Sequence, residues 1–213
     1  METKIKNKNP SKILNRLSVP NVLIVGGTAS GKSTVGYQLS KVLEFGVVDL
    51  DALIEEEAGK PIHEIFKDSG ENGFREIESN VISGLKSIRN HIIVTGAGAV
   101  ESDENWRALK ALGYVVWMAT PSAEIVRRLV MKHSELSKRP LLAEAVNIED
   151  KGEREKYLLQ KLEELLERRS HRYEEANMVL SCSYVTAETC AQFIKARLLN
   201  DKLEKNKSHK EVH

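Results

Sequence analysis

Residues 21–34 read NVLIVGGTASGKST, a short apolar run that is followed by a glycine-rich turn. From Gly26 to Ser33 the chain fits the pattern G-x-x-x-x-G-K-S/T. In this pattern the glycines let backbone N–H groups point at phosphate oxygens, the lysine reaches the β- and γ-phosphates, and the hydroxyl binds Mg²⁺. A helix that begins after the turn adds its positive end. The pattern predicts nucleotide binding, and by itself leaves ATPase, GTPase and kinase open. The predicted nucleotide-binding residues of this loop are Gly27, Thr28, Ala29, Ser30, Gly31, Lys32, Ser33 and Thr34.

Apolar runs alternate with longer helical patterns along the rest of the chain. The predicted strands are 21–27, 45–51, 91–98, 114–119 and 178–182, and the predicted helices are 33–43, 52–58, 62–68, 72–88, 103–112, 122–133, 155–175 and 187–199. This alternation predicts an α/β fold in three layers, with a parallel sheet that is covered by helices on both faces. Ligands of such folds bind beyond the carboxyl ends of the strands.

The composition excludes several classes of protein. The 213 residues are 41% hydrophobic and carry a net charge of +1, which argues against intrinsic disorder and against a dedicated nucleic-acid binder. No apolar run approaches the roughly 20 residues that span a bilayer, so we expect no membrane partner. Two cysteines, Cys182 and Cys190, are too few for a zinc site, and we expect reduced thiols in a cytoplasmic protein.

Three segments depart from the regular alternation. Residues 1–19 are basic and lack the apolar core of a secretory signal, so we expect a flexible tail; a remnant of an organelle-targeting sequence is the alternative. Residues 133–152 show no clear period, which is typical of a functional loop, and we interpret them as a lid. The polar residues 200–213 predict a second flexible tail. One domain over 20–199 remains.

Two carboxylates stand at the end of the second predicted strand. Asp49 and Asp51 are two residues apart, so in a strand both side chains point to the same side. Beside a phosphate loop, Asp49 is a candidate for holding Mg²⁺ and Asp51 for orienting a hydroxyl group and taking its proton. The alternative is an aspartate-rich helix cap before ALIEEE.

Three arginines are candidates for binding anions. Arg169 lies seven residues after Leu162 on an apolar helix stripe, where a buried cation needs an anionic partner. Arg75 lies three residues before Glu78, which can hold its guanidinium in place for bidentate contact with a carboxylate. Arg139 lies in the predicted lid, where it can close on a transferring phosphoryl group. Internal or surface ion pairs are the alternatives for Arg169 and Arg75.

Together these motifs resemble the shikimate kinase family, small P-loop enzymes with a nucleoside-monophosphate-kinase-like fold. The resemblance covers about residues 21–199. Five segments carry it: GGTASGKST (26–34), the acceptor-binding segment VVDLDALIEEEAGKPIHEIFKDSGENGFREIE (47–78), TGAGAV (95–100), KRPLL (138–142) and ERRSHRYEEA (167–176). It implies a five-stranded parallel sheet of order 2-3-1-4-5, an acceptor-binding segment over about 51–89, and a monomer. The implied reaction is transfer of the ATP γ-phosphoryl group to the 3-hydroxyl of shikimate.

Carried over to this chain, the resemblance assigns a role to each candidate. Lys32, the loop backbone and Arg139 would bind the phosphates of ATP, and Ser33 and Asp49 would bind Mg²⁺. Asp51 would hold the shikimate hydroxyls. Lys32, Asp51 and Arg139 would be the catalytic residues. The other residues that it assigns to shikimate are Arg75, Gly96, Ala97, Gly98 and Arg169.

The chain departs from the family pattern at a few positions. Ala97 replaces the middle one of three glycines, Ala29 replaces a common loop glycine, His171 replaces a proline, and NIEDKGEREK (147–156) resembles an insertion that lengthens the lid or the next helix. These departures keep two other functions open. One is a non-catalytic nucleotide-binding relative. The other is a small-molecule kinase of different specificity, such as a gluconate or nucleoside monophosphate kinase.

Overall fold

The computed structural model describes residues 20–131, 136, 139–181 and 183–208. Within them, one sheet of five parallel strands has the order β2-β3-β1-β4-β5, so the predicted fold class and strand order are confirmed. The strands are β1 (Asn21–Gly26), β2 (Gly46–Asp49), β3 (His91–Val94), β4 (Gly113–Met118) and β5 (Met178–Leu180).

Helices cover both faces of this sheet. They are α1 (Lys32–Leu43), α2 (Leu50–Ala58), α3 (Ile62–Gly84), α4 (Asp103–Leu112), α5 (Ser122–Met131), α6 (Lys151–Tyr173) and α7 (Ala187–Ser208), with 3₁₀ turns at Leu85–Ser87 and Pro140–Asn147. The central strand β1 is buried along its whole length. Its alternate residues Val22 and Ile24 pack in the core cluster of α1 and α7, while Leu23 and Val25 pack in the cluster that contains Trp106 of α4. This double burial fixes the carboxyl end of β1, from which the phosphate loop leaves.

Helices α3 and α7 differ most in extent from the sequence prediction. The predicted helices 62–68 and 72–88 join into α3, which kinks at Gly70 because that residue has φ 65° and ψ −171°. Helix α7 continues to Ser208, nine residues beyond the predicted end at 199 and into the expected tail 200–213. Leu198 of α7 is buried and Asp201 accepts a hydrogen bond from the Tyr114 hydroxyl at 2.6 Å, so packing extends this polar helix.

The segment that we interpreted as a lid is partly helical. Pro140–Asn147 forms a 3₁₀ turn, and α6 begins at Lys151 because the Asp150 side chain accepts the backbone N–H of Glu153 at 2.8 Å. The insertion-like residues therefore lengthen the start of α6. Residues 133–135 and 137–138 of the predicted lid lie outside the described residues, as do residue 132, the tail 1–19 and residues 209–213.

One expectation about the cysteines is wrong. Cys190, buried in the first turns of α7, is disulfide-bonded, whereas the sequence predicted reduced thiols. The other cysteine of the chain, Cys182, lies outside the described residues. In the described part of the chain, none of the helices has the combination of length and apolar character that crossing a membrane requires.

Candidate active site

The phosphate loop connects β1 to α1 and has an unusual backbone. Gly26 and Gly31 have φ values of 145° and 99°, which glycine adopts without steric cost. A Cβ atom on Gly26 would also lie 2.8 Å from the Met118 carbonyl oxygen. Ala29 has φ 52°, in the left-handed region that side chains disfavour. The loop therefore curves tightly over the end of the sheet, at the N-terminus of α1.

Lys32 is folded back into the concavity of this loop. Its Nζ donates to the carbonyl oxygens of Gly26 and Gly27 at 3.0 and 2.7 Å. Burial lowers the pKa of Lys32 to about 8, with the positive charges of Arg139 and Arg169 acting in the same direction and Asp51 opposing them. The lysine is therefore a weakly solvated cation at the mouth of the loop.

A cavity of about 560 Å³ opens beside the loop, and we call it the loop cavity. Residues 29–34 of the predicted nucleotide site line it, together with Asp49, Asp51, Thr95, Arg127, Arg128 and Arg139. Gly27 and Thr28 lie on the other side of the loop, against a separate cavity of about 230 Å³ that is walled by Trp117 and Tyr173. The loop cavity has the size and the concave shape of a ligand site.

The two aspartates lie at the junction of β2 and α2. β2 ends at Asp49, so the predicted strand to residue 51 is two residues too long, and Asp51 belongs to the first turn of α2. Asp49 is the N-cap of α2: it accepts the backbone N–H of Asp51 at 3.1 Å. Its other oxygen accepts the Ser33 hydroxyl at 3.2 Å. The cap that the sequence left as an alternative is thus present, and Asp49 also faces the loop cavity.

Asp51 faces two cavities at once. It lines the loop cavity and a smaller one of about 120 Å³, which we call the arginine cavity. The protein around its carboxyl group raises the pKa of Asp51 through burial, against the opposing charge of Lys32. Residue Arg139 also lines both cavities, and its Nη1 contacts the Thr28 hydroxyl. Asp51 and Arg139 therefore mark the passage between the two spaces.

The arginine cavity gathers every residue that the sequence assigned to the acceptor. Its polar side chains and the run after β3 are Thr28, Asp51, Arg75, Glu78, Gly96, Ala97, Gly98, Arg139 and Arg169. The other lining residues are apolar: Ile62, Phe66, Phe74, Pro140, Leu141, Leu142 and Leu165. Residues from α2, α3, the loop after β3 and α6 thus converge on one space, although they are up to about 120 positions apart in the chain.

Arg75 is held by two carboxylates of its own helix. Its Nη1 donates to Glu78 at 2.8 Å and its Nη2 to Glu71 at 2.9 Å. Glu78 is 1% exposed, and burial raises its pKa although Arg75 opposes the shift. The predicted Arg75–Glu78 pair is confirmed, and the guanidinium stays at the cavity wall.

The glycine run after β3 lets these side chains approach the backbone. A Cβ on Gly96 would lie 2.7 Å from Asp51 Oδ1, and a Cβ on Gly98 would lie 2.9 Å from Arg75 Cζ. Ala97, between them, does not have a left-handed backbone, so its Cβ brings no backbone strain. Its carbonyl oxygen accepts the Tyr173 hydroxyl at 3.1 Å. The geometry requires glycine at 96 and 98 but not at 97.

Arg169 both faces the predicted acceptor site and forms an internal ion pair, the two possibilities that the sequence left open. It lines the arginine cavity, and it is also ion-paired: Nε and Nη2 lie 2.7 and 2.6 Å from Glu101 Oε1. The sequence prediction missed both Glu101 and Tyr173. Glu101 is 68 positions away from Arg169 and carries no motif of its own, so nothing in the sequence pairs them.

The comparisons with known proteins agree with this geometry. The family model described as shikimate kinase matches residues 28–198, most of the chain. The chain belongs to the shikimate kinase family. A shikimate kinase of Clostridium botulinum (strain Loch Maree) is 37% identical over 176 residues, which are 83% of this chain and 95% of the relative. The shikimate kinase of Prochlorococcus marinus (strain MIT 9313) is 41% identical over 133 residues, which are 62% of this chain and 67% of the relative.

Solved shikimate kinases also share the fold. The enzyme from Acinetobacter baumannii, determined in complex with shikimate, is 33% identical with a TM-score of 0.78, covering 91% of this chain and 99% of that one. The enzyme from Aquifex aeolicus is 27% identical with a TM-score of 0.64, covering 87% and 97%. The predicted resemblance to shikimate kinases is thus confirmed.

Proposed function

We propose that this chain is a shikimate kinase that transfers the γ-phosphoryl group of ATP to the 3-hydroxyl of shikimate. One observation carries the proposal. Asp51 and Arg139 each line both the loop cavity, which has the phosphate-binding loop, and the arginine cavity, which has two further arginines, Arg75 and Arg169. A carboxylated, hydroxylated acceptor in the arginine cavity would therefore present its hydroxyl to a phosphate in the loop cavity.

On the nucleotide side, we assign the phosphates of ATP to the backbone N–H groups of residues 27–34, to Lys32 and to Arg139. The Ser33 hydroxyl and the Asp49 carboxylate, 3.2 Å apart and open to the loop cavity, are the hard oxygen donors that Mg²⁺ takes in proteins. The ion, when bound, neutralises charge on the phosphate oxygens. Lys32 contributes a buried cation, and because little water surrounds it, its attraction for phosphate is weakly screened.

On the acceptor side, we assign the shikimate carboxylate to Arg75 and Arg169. Asp51 would accept a hydrogen bond from the reacting hydroxyl and take its proton as the bond to phosphorus forms. The raised pKa of Asp51 suits this role, because a carboxylate with a higher pKa is a stronger base. In phosphoryl transfer the protein acts mainly by aligning the two substrates and by neutralising the charge on the transferred group.

Arg139 would act at the boundary between the substrates. It stands directly before the 3₁₀ turn Pro140–Asn147 and contacts Thr28 of the phosphate loop. From this position its guanidinium can follow the negative charge that develops on the transferring group. Closure of the segment around it would exclude water that otherwise hydrolyses ATP.

An acceptor panel tests the proposal against the two alternatives. We would incubate the protein with MgATP and either shikimate, gluconate or a nucleoside monophosphate, and identify the phosphorylated product by ³¹P NMR. We expect one product, shikimate 3-phosphate. Phosphorylation of gluconate or a nucleotide instead would support a kinase of another specificity. A protein that binds ATP but shows no calorimetric binding of shikimate would be a non-catalytic relative.

The remaining assignments stay predictions. We propose one kinase domain over 20–199, with the acceptor-binding segment at about 51–89 and the lid at about 133–152. A monomer in the cytoplasm is the expected state, and light scattering of the purified protein tests the first part. ATP and shikimate are the expected partners.

A further inference from the structure

Glu101 stands at an unusual place beside the arginine cavity. It closes the turn that follows the glycine run, and its backbone N–H donates to the Gly98 carbonyl at 3.0 Å. Its side chain is 18% exposed and faces two consecutive arginines of α6. Oε1 contacts Arg169, which is 3% exposed, and Oε2 contacts Arg168, which is largely exposed. One carboxylate therefore ties α6 to the loop that carries Gly96–Gly98.

The contact occupies a defined edge of the Arg169 guanidinium. Both Nε and Nη2 lie within 2.7 Å of Glu101 Oε1, so this oxygen sits on the side edge of the fork. Nη2 makes no well-aligned hydrogen bond in spite of its short distance to Glu101 and its burial. A guanidinium is a rigid plane with five N–H donors, so the contact with Glu101 along one edge fixes the orientation of the whole group.

The ion pair between Glu101 and Arg169 is present in the protein without substrate. Burial acts to raise the pKa of Glu101, but the charges of Arg169 and Arg168 outweigh it and hold the pKa below its ordinary value. Glu101 is therefore ionised whenever the enzyme works near neutral pH. Because Arg169 is nearly inaccessible to water, a partner of opposite charge is needed even before any substrate arrives.

We propose that Glu101 is a positioning residue that orients Arg169 for the carboxylate of the acceptor. This inference rests on the proposed function and deepens it. Glu101 fixes the side edge of the Arg169 fork, and Arg169 lines the arginine cavity in which we place the substrate carboxylate. Tyr173, one turn further along α6, supports the same arrangement because its hydroxyl is anchored on the Ala97 carbonyl.

Kinetics of Glu101 variants test this role. In Glu101→Ala we expect the KM for shikimate to rise by roughly tenfold or more, the effect of losing a charged hydrogen bond. The KM for MgATP and kcat should change little, because the chemistry and the loop cavity are untouched. Glu101→Gln keeps an oxygen acceptor for Arg169 and should recover part of the loss.

Asp103→Asn is the matched control. Asp103, the first residue of α4, pairs with Arg172, so this variant also breaks an ion pair between α6 and the chain that follows β3. Asp103 is 71% exposed, and Arg172 is not among the described residues that line the arginine cavity. The control should therefore leave the KM for shikimate unchanged. If Glu101→Ala does not fold, Glu101→Gln provides the comparison.

An Arg169→Ala background separates action through Arg169 from any other effect. Adding Glu101→Ala to Arg169→Ala should raise the shikimate KM no further. A further rise, or a single-variant KM equal to that of Asp103→Asn, would overturn the proposal. A lower KM in Glu101→Ala would overturn it too, because Glu101 would then compete with the substrate carboxylate. If the unmodified protein shows no shikimate-dependent turnover, the proposed function fails, and the inference fails with it.

Discussion

Replacing Gly98 by alanine tests the acceptor side of the site with one methyl group. The added Cβ would meet Nη2 of Arg75 most closely, and it would lie 2.9 Å from Cζ and Nη1. Ordinary contact begins near 3.5 Å, so the guanidinium has to retreat by roughly 1 Å. Two carboxylates, Glu78 and Glu71, hold that guanidinium in place at 2.8 and 2.9 Å. The retreat therefore strains or breaks at least one of these hydrogen bonds.

The Gly98→Ala substitution should weaken shikimate binding and leave the stability of the fold nearly unchanged. The guanidinium is the flexible end of the Arg75 side chain, and its Nη2 bonds the exposed Glu71, so the protein can give up this surface contact with little loss of stability. A misplacement of this size in a charged contact costs about 1.5–3 kcal/mol, or roughly 10- to 100-fold in kcat/KM for shikimate. The KM for MgATP should stay within about twofold, because the loop cavity does not contain Gly98.

The assay is ADP release, coupled to NADH oxidation, at varied shikimate and fixed MgATP, with the thermal midpoint of unfolding as a check on folding. Ala97→Gly is the matched control: it removes a methyl group one residue away, where the backbone is not left-handed, and should change kcat/KM little. A folded Gly98→Ala protein with an unaltered shikimate KM would refute the reasoning. An equal loss in Ala97→Gly would refute it as well.

Three further predictions concern the phosphate loop and Arg139. Lys32 has a lowered pKa near 8 in the free protein, so it loses its charge as the pH rises through that value, and kcat/KM for MgATP should fall there. A Lys32→Arg variant, if active, should keep its activity to higher pH; an unchanged alkaline limb would contradict the assignment. Ala29→Gly relieves φ 52° and should raise the free energy of unfolding in urea by up to about 1 kcal/mol; a decrease would be contrary. Arg139→Ala should lower kcat by about a hundredfold or more with a smaller change in shikimate KM; an effect on KM alone would contradict a role in transfer.

The phosphate loop and the alternation of elements could be predicted from the sequence because both depend on local patterns. The glycine, lysine and serine spacing of residues 26–33 is specific to phosphate-binding loops. Strand β1 is a continuous apolar run, as expected for a strand that is covered on both faces. The order of the strands is not local. It came from the resemblance to shikimate kinases, and it is confirmed.

What the sequence missed depends on tertiary contacts. The extension of α7 is a polar stretch whose helical state follows from contacts such as Tyr114 with Asp201. The pairing of Glu101 with Arg169 joins a turn after β3 to α6, and no period or motif connects the two. Asp49 shows a different limit. Its pattern allowed both a cap and a site residue, and the structure shows a cap that also faces the cavity.

The most direct test of the central claim is ADP release from MgATP with and without shikimate, using Lys32→Ala as the blank. We expect strong turnover that depends on shikimate and disappears in the blank, whose loop lacks the cation between the carbonyls of Gly26 and Gly27. Turnover that is independent of shikimate, or absent in protein that still binds ATP, would contradict the claim.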